Sequence, residues 1–111
     1  MKIAFTTKGI KWDSAIDPRF GRAEYFLIYD DEKDELLHYD NRDSENELHG
    51  AGPNAAQKLF EFEPDILITG NGPGGNATLV LEKTGTKVYI GADKMTVKEA
   101  LIAFKKGLLN G

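Results

Sequence analysis

The chain contains no cysteine. That excludes disulfides, thiolate nucleophiles and cysteine-held zinc, so any metal or cluster must be held by histidine, carboxylate, backbone or a partner. Histidine is almost as scarce: His38 and His49 are the only two, too few for a self-contained histidine-rich metal site. No apolar run approaches the roughly 18 residues that span a membrane. The opening "MKIAFTTKG" has too short an apolar stretch for a signal peptide, so a cytoplasmic location without membrane association is expected. Positive charge is in deficit, with 14 Lys and Arg against 18 Asp and Glu and a net charge of −4, which argues against a nucleic-acid binder.

Catalytic groupings are missing as well. Neither histidine stands in a recognisable context for a nucleophilic triad. The first apolar segment, "KIAFTT", carries no carboxylate, and Asp65 begins its segment instead of ending it; both features speak against a two-metal nuclease. The expectation is a protein that is not an enzyme.

What is present fits one domain spanning residues 1–111. Short apolar runs predict strands at Lys2–Thr6, Glu24–Asp30, Leu36–Asp40, Asp65–Thr69 and Lys87–Gly91. Helical spacing predicts helices over Pro53–Glu63, Asn76–Lys83 and Thr96–Leu109. Asn76 reads as an N-cap, Gly85 as a C-terminal stop, and Thr96 with Glu99 as a capping box. Val97, Ala100, Leu101, Phe104 and Leu108 form the apolar stripe of the last helix. The first three strands read as an antiparallel meander, followed by right-handed parallel crossovers. The predicted fold is α/β, ordered β-β-β-α-β-α-β-α: a mixed five-stranded sheet with three helices, the ribonuclease-H-like arrangement.

Within "ITGNGPGGNATLVL" the spacing of Gly70, Gly72 and Gly75 reads G-x-G-x-x-G. This pattern can hold a dinucleotide pyrophosphate, with Asp93 placed as an acidic ribose partner. Against that, Pro73 removes a backbone N–H, the helix that follows is short, and only one strand follows the motif. Two other readings stay open. The glycines can make a tight strand-to-helix turn, or N–H groups at the helix start, with Asn71, Gly72, Gly74 and Asn76, can face an anion.

A second glycine-bearing helix start, "HGAGPNAAQ", includes His49, Gly50, Gly52 and Asn54. His49 is either a metal ligand or a loop histidine; His38 reads as structural. In "DPRFGRAEYF", Asp17 and Pro18 make a turn, Phe20 can plug beneath it and Gly21 permits an unusual backbone angle. Arg19 and Arg22 suit an anion, or pair with Asp17 or Glu24. Trp12 reads as a lid, an interface anchor or a cover for the sheet edge. Asn41–Leu48 reads as an exposed loop.

Four collinear stretches, "IDPRFGRAEYFLIYD", "HGAGPNAAQKL", "PDILITGNGPGGNATLVLEKTGTKVYIG" and "TVKEAL", resemble the dinitrogenase iron–molybdenum cofactor biosynthesis family. That family includes NifX-like carriers and the C-terminal domain of NifB-like proteins. The resemblance covers nearly the whole chain and implies a ribonuclease-H-like fold. It implies a non-catalytic carrier for an anionic iron–sulfur or iron–molybdenum cofactor or precursor. The cofactor-binding residues would be Arg19, Phe20, Gly21, Arg22, His49, Gly50, Gly52, Asn54, Asn71, Gly72, Gly74 and Asn76, with His49 as metal ligand. Many members have histidine where this chain has Arg19; if that histidine ligates the cluster, the resemblance implies that this chain has either lost a ligand or gained a purely electrostatic contact. The implied partners are a metallocluster cargo and a cluster-synthesis or acceptor protein, with the chain a monomer or weak dimer.

Overall fold

The computed structural model describes residues 1–42 and 51–111, apart from the side chains of residues 51–53, 75 and 76. Five strands, β1 (Lys2–Thr7), β2 (Tyr25–Asp30), β3 (Glu35–Asp40), β4 (Ile66–Ile68) and β5 (Lys87–Tyr89), lie in the order β3-β2-β1-β4-β5. β1 and β2 pair antiparallel, as do β2 and β3; β4 runs parallel to both β1 and β5. The helices are α1 (Ala51–Phe60), α2 (Gly75–Thr84) and α3 (Val97–Lys105). The predicted mixed sheet and its element order are both present.

Strand residues alternate between two apolar layers, as the period of two requires. Ile3, Phe5, Leu27, Ile66 and Ile68 meet Val97, Ala100 and Ala103 of α3 on one face. Ala4, Phe26, Ile28 and Leu67 meet Ala55, Ala56 and Leu59 of α1 and Ala77 and Leu81 of α2 on the other. Burial of both faces explains why the central strands read as unbroken apolar runs. On edge strand β3, Tyr39 packs on the α1/α2 side and Leu36 on the α3 side. His38 is exposed there, so it does not fill the core.

Several helix ends differ from expectation: α1 runs Ala51–Phe60 and not Pro53–Glu63, tightening into i to i−3 bonds before Glu63 turns left-handed (φ 52°). α3 stops at Lys105, not Leu109, because Gly107 adopts a left-handed φ of 72°. Leu108 N–H donates to the Ala103 carbonyl at 2.9 Å and Gly107 N–H to the Phe104 carbonyl at 3.0 Å, which closes a Schellman turn. Leu108 therefore leaves the apolar stripe and is 70% exposed, while Leu109 turns back into the core. α2 begins at Gly75, and its N-cap is Gly74, not Asn76; no side chain caps it. The expected stop at Gly85 (φ 79°) and the Thr96–Glu99 capping box are both present.

Candidate functional site

The parallel strands β1, β4 and β5 share one carboxyl end, and β3 finishes at that same end because Thr7, Tyr25 and Asp40 lie in register. The loops after β1, β4 and β5, and the starts of α1 and α2, therefore gather there. In an open α/β sheet this is where ligands bind.

Gly70 is the junction of three of these loops. A Cβ on Gly70 would stand 2.6 Å from Pro18 Cα and 3.1 Å from Asp93 Cβ. The Gly70 carbonyl accepts from Gly91 N–H at 3.0 Å, and the adjacent Asn71 N–H donates to the Pro18 carbonyl at 2.8 Å. The Asn71 backbone amide, one of the groups expected to face an anion, is thus engaged in joining loops. Asp93 does lie beside the glycine loop, as its spacing indicated, but packed against Gly70.

Gly72 and Gly74 have no such steric role. Nothing lies within 4 Å of a Cβ built on Gly74, and the nearest atom to one on Gly72 is 3.7 Å away. Gly74 has an ordinary φ of −67°. What these two glycines provide is bare, exposed backbone at the start of α2. The first turn of an α-helix has N–H groups without intrahelical partners. α3 meets this with its own Thr96 and Glu99, whereas α1 and α2 bring no acidic residue to their first turns. Their N-termini are consequently suited to an external anion.

The chain's three arginines, Arg19, Arg22 and Arg42, all belong to this end of the sheet. Arg19 and Arg42 are held in the same way, each by the aspartate two residues earlier. Asp17 Oδ1 accepts from Arg19 N at 3.0 Å and Nε at 3.1 Å, and Asp17 Oδ2 accepts from Nη2 at 3.0 Å. Asp40 Oδ1 accepts from Arg42 N and Nε, both at 3.0 Å, and Asp40 Oδ2 from Nη2 at 2.7 Å. Each pair is formally neutral, so it contributes oriented donors more than net charge.

The two aspartates sit in different environments. Asp17 is fully buried, and its Oδ2 also accepts from Glu24 N–H at 3.3 Å. Burial alone would push its carboxyl up; the side-chain and backbone hydrogen bonds from Arg19 outweigh that and hold it below its ordinary value. Asp40 is exposed, and the hydrogen bonds from Arg42 bring it down to about 2. The Arg42 guanidinium also lies over the Tyr25 ring, 5.3 Å from its centre.

Asn41 joins the two arginine loops, although its polar stretch by itself reads as the start of an exposed loop. It is only 3% exposed. Its Nδ2 donates to the Gly21 carbonyl at 3.1 Å and the Ala23 carbonyl at 2.9 Å, and its N–H donates to the Glu24 carbonyl. A continuous rim results: Gly91 and Gly70, then Asn71 and Pro18, then Arg19, Gly21, Asn41 and Arg42. Beneath it, buried Thr6 and Thr69 share a hydroxyl hydrogen bond of 2.7 Å, and Thr6 donates to the Asp17 carbonyl.

Of the other expected site residues, Phe20 is 4% exposed and packs on Phe26 with ring centres 5.7 Å apart, so it supports the rim from below. Gly21 is not among the described glycines with positive φ; its part is to present its carbonyl to Asn41. Arg22 is half-buried and Asn54 exposed at the start of α1. His49 and Gly50 lie outside the described residues. Gly52 and Asn76 fall in the first turns of α1 and α2. Among the described residues no three His, Asp or Glu side chains come together to hold a metal ion, and no helix is long and apolar enough to cross a membrane.

Residues 1–107 match the family model for dinitrogenase iron-molybdenum cofactor. Among solved structures, the apo form of the orange protein from Desulfovibrio gigas is 37% identical, with a TM-score of 0.90, over 97% of this chain and 89% of that one. The NMR structure of a protein assigned as NifB from Thermotoga is also 37% identical, with a TM-score of 0.83, over 98% of this chain and 90% of that one. No curated protein matches.

Proposed function

Because the chain belongs to the dinitrogenase iron-molybdenum cofactor family, we propose that it is a non-catalytic cytoplasmic carrier that seats an anionic iron–sulfur or iron–molybdenum cofactor, or a precursor, at the carboxyl end of its sheet. The observation that carries this reading is the convergence of all three arginines on the end where α1 and α2 begin without acidic first turns. Metal–sulfur clusters are polyanions whose sulfur atoms accept hydrogen bonds. Guanidinium forks and helix-start N–H groups supply oriented donors for such a surface. A chain without cysteine offers no thiolates to the metal atoms, so the cluster keeps its own sulfur ligands and is held from outside. Weak, outer contacts of this kind suit cargo that must be released to an acceptor protein. Alongside these outer contacts, His49, in the HGAG motif, is the candidate for a single direct metal ligand. We take the carrier to act as a monomer or weak dimer.

The reading is tested anaerobically by adding purified iron–sulfur or iron–molybdenum cluster to the apoprotein at micromolar concentration and following cluster absorbance through a sizing column. Co-elution is expected, and it should weaken in His49→Ala and be lost when Arg19, Arg22 and Arg42 are all replaced by alanine. Separation of cluster from the unaltered protein would end the proposal. Phosphate, ATP and NAD serve as thermal-shift controls. A nucleotide present at 100 times its dissociation constant would add about 2.7 kcal/mol, and such a gain would favour a nucleotide-binding regulatory domain instead.

A further inference from the structure

On the α3 face, away from α1 and α2, Trp12, Tyr29, Lys98, Leu101 and Ile102 line a surface groove of about 400 Å³. The Trp12 and Tyr29 rings meet edge to face with centres 4.9 Å apart, which fixes one wall. Lys98 N–H donates to the Trp12 carbonyl and Val97 N–H to the Ser14 carbonyl, both at 2.9 Å, so the loop carrying Trp12 is anchored to the first turn of α3. The groove is preformed on rigid elements. Its floor is apolar, and Ile102 remains 45% exposed.

Charge along this helix runs against that of the whole chain. Lys94, Lys98, Lys105 and Lys106 face a single carboxylate, Glu99, between residues 94 and 106, although the protein is net acidic. Lys98, Ile102 and Lys105 recur at the four- and three-residue spacing that shares one helix face, while Lys11 and Asp13 flank Trp12 and offset one another. The opposite end of the groove is acidic, because Tyr29 Oη donates to Asp34 Oδ1 at 2.8 Å. We infer that this groove docks an acidic amphipathic helix of a partner protein. Its apolar side chains would enter between Trp12 and Ile102, and its carboxylates would face Lys98 and Lys105 on α3, turned away from Asp34. Apolar anchors set in a groove with complementary charge on one wall form a recurring mode of helix recognition. This inference does not depend on the identity of the cargo.

Trp12 is the chain's single tryptophan, so its fluorescence reports groove occupancy without a label. The probe is a synthetic amidated helix with leucine at every third or fourth position and glutamate on its other face, titrated into the full chain. A saturable shift in Trp12 emission is expected, weaker at high salt. Lys98→Glu and Ile102→Ser should each weaken it by about tenfold, the effect of roughly 1.4 kcal/mol. Both positions are solvent-exposed, and circular dichroism verifies that the variants fold. The inference is overturned if the emission does not move at millimolar peptide, or if the counterpart with lysine in place of glutamate produces the same shift. It is also overturned if the emission follows protein concentration alone, which would make a second copy the occupant. A response to phosphatidylserine vesicles in place of the peptide would overturn it equally.

Discussion

Pro18 and Gly70 touch where only a glycine fits: a Cβ on Gly70 would approach Pro18 Cα to 2.6 Å. The loop after β1 and the loop after β4 are thereby locked together, with Asn71 N–H bonded to the Pro18 carbonyl beside the contact. Since the obstructing atom is backbone, the clash cannot be relieved by a rotamer change. Gly70→Ala should cost about 1–3 kcal/mol in urea denaturation, the range for overpacking a tight site. It should also weaken cluster retention by displacing Arg19.

Gly74 is the matched control. It has ordinary backbone angles and empty space around its Cβ position; the unfolded-state entropy gain of Gly74→Ala is opposed by the poorer fit of Ala at an N-cap, so stability should change by no more than about 1 kcal/mol in either direction. If the exposed backbone at the start of α2 receives the cargo, the same variant lowers retention on the sizing column. A loss of binding without a loss of stability separates ligand contact from folding.

Asp17 links acid stability to the arginine rim. Its carboxyl is held below the ordinary value in the folded chain, so its stabilising contribution is complete above the unfolded pKa near 3.8. That contribution is lost as pH falls through the lower folded value. Asp17→Asn should destabilise the protein at neutral pH, by about 2–3 kcal/mol for hydrogen bonds to a charged group. The variant should also show a shallower loss of stability on acidification below pH 4. Denaturation midpoints of both proteins across pH 2–7 provide the check, and parallel curves would remove Asp17 from this role.

Asn41→Ala removes two side-chain donors and leaves the Gly21 and Ala23 carbonyls short of partners in a buried setting. A cost of about 1–3 kcal/mol is expected. Slow amide exchange at the Asn41 N–H, which donates to the Glu24 carbonyl, should be lost along with it. Asn41→Asp should not rescue stability, because a carboxylate would face two carbonyl oxygens.

Much of the fold was legible because its signals are local. The capping box at Thr96, the stop at Gly85 and the apolar runs of β1, β2 and β4 are statements about neighbouring residues, and all appear in the structure. Arg19, Arg22 and the glycine loop stood out as candidates with structural alternatives, and part of those alternatives is realised: Arg19 pairs with Asp17 and Gly70 packs on Pro18. The equivalence of Arg19 and Arg42 was not legible. Both follow an aspartate by two residues, a spacing too common to single out without knowing that both loops leave the same end of the sheet. Asn41 was misread for a related reason: a polar residue in a polar stretch looks solvated until a distant segment, here Gly21 to Glu24, folds over it.

Sequence alone determined the class of the domain, the order of its elements and the exclusion of thiolate ligands, because periodicity, caps and composition depend on short stretches of chain. The tertiary structure decided which glycine is a joint and which is open backbone, which aspartate is buried, and which arginines stand together. Those are questions of what lies across space from a residue. They are settled by sheet register and loop contacts between segments tens of residues apart, which no local pattern encodes.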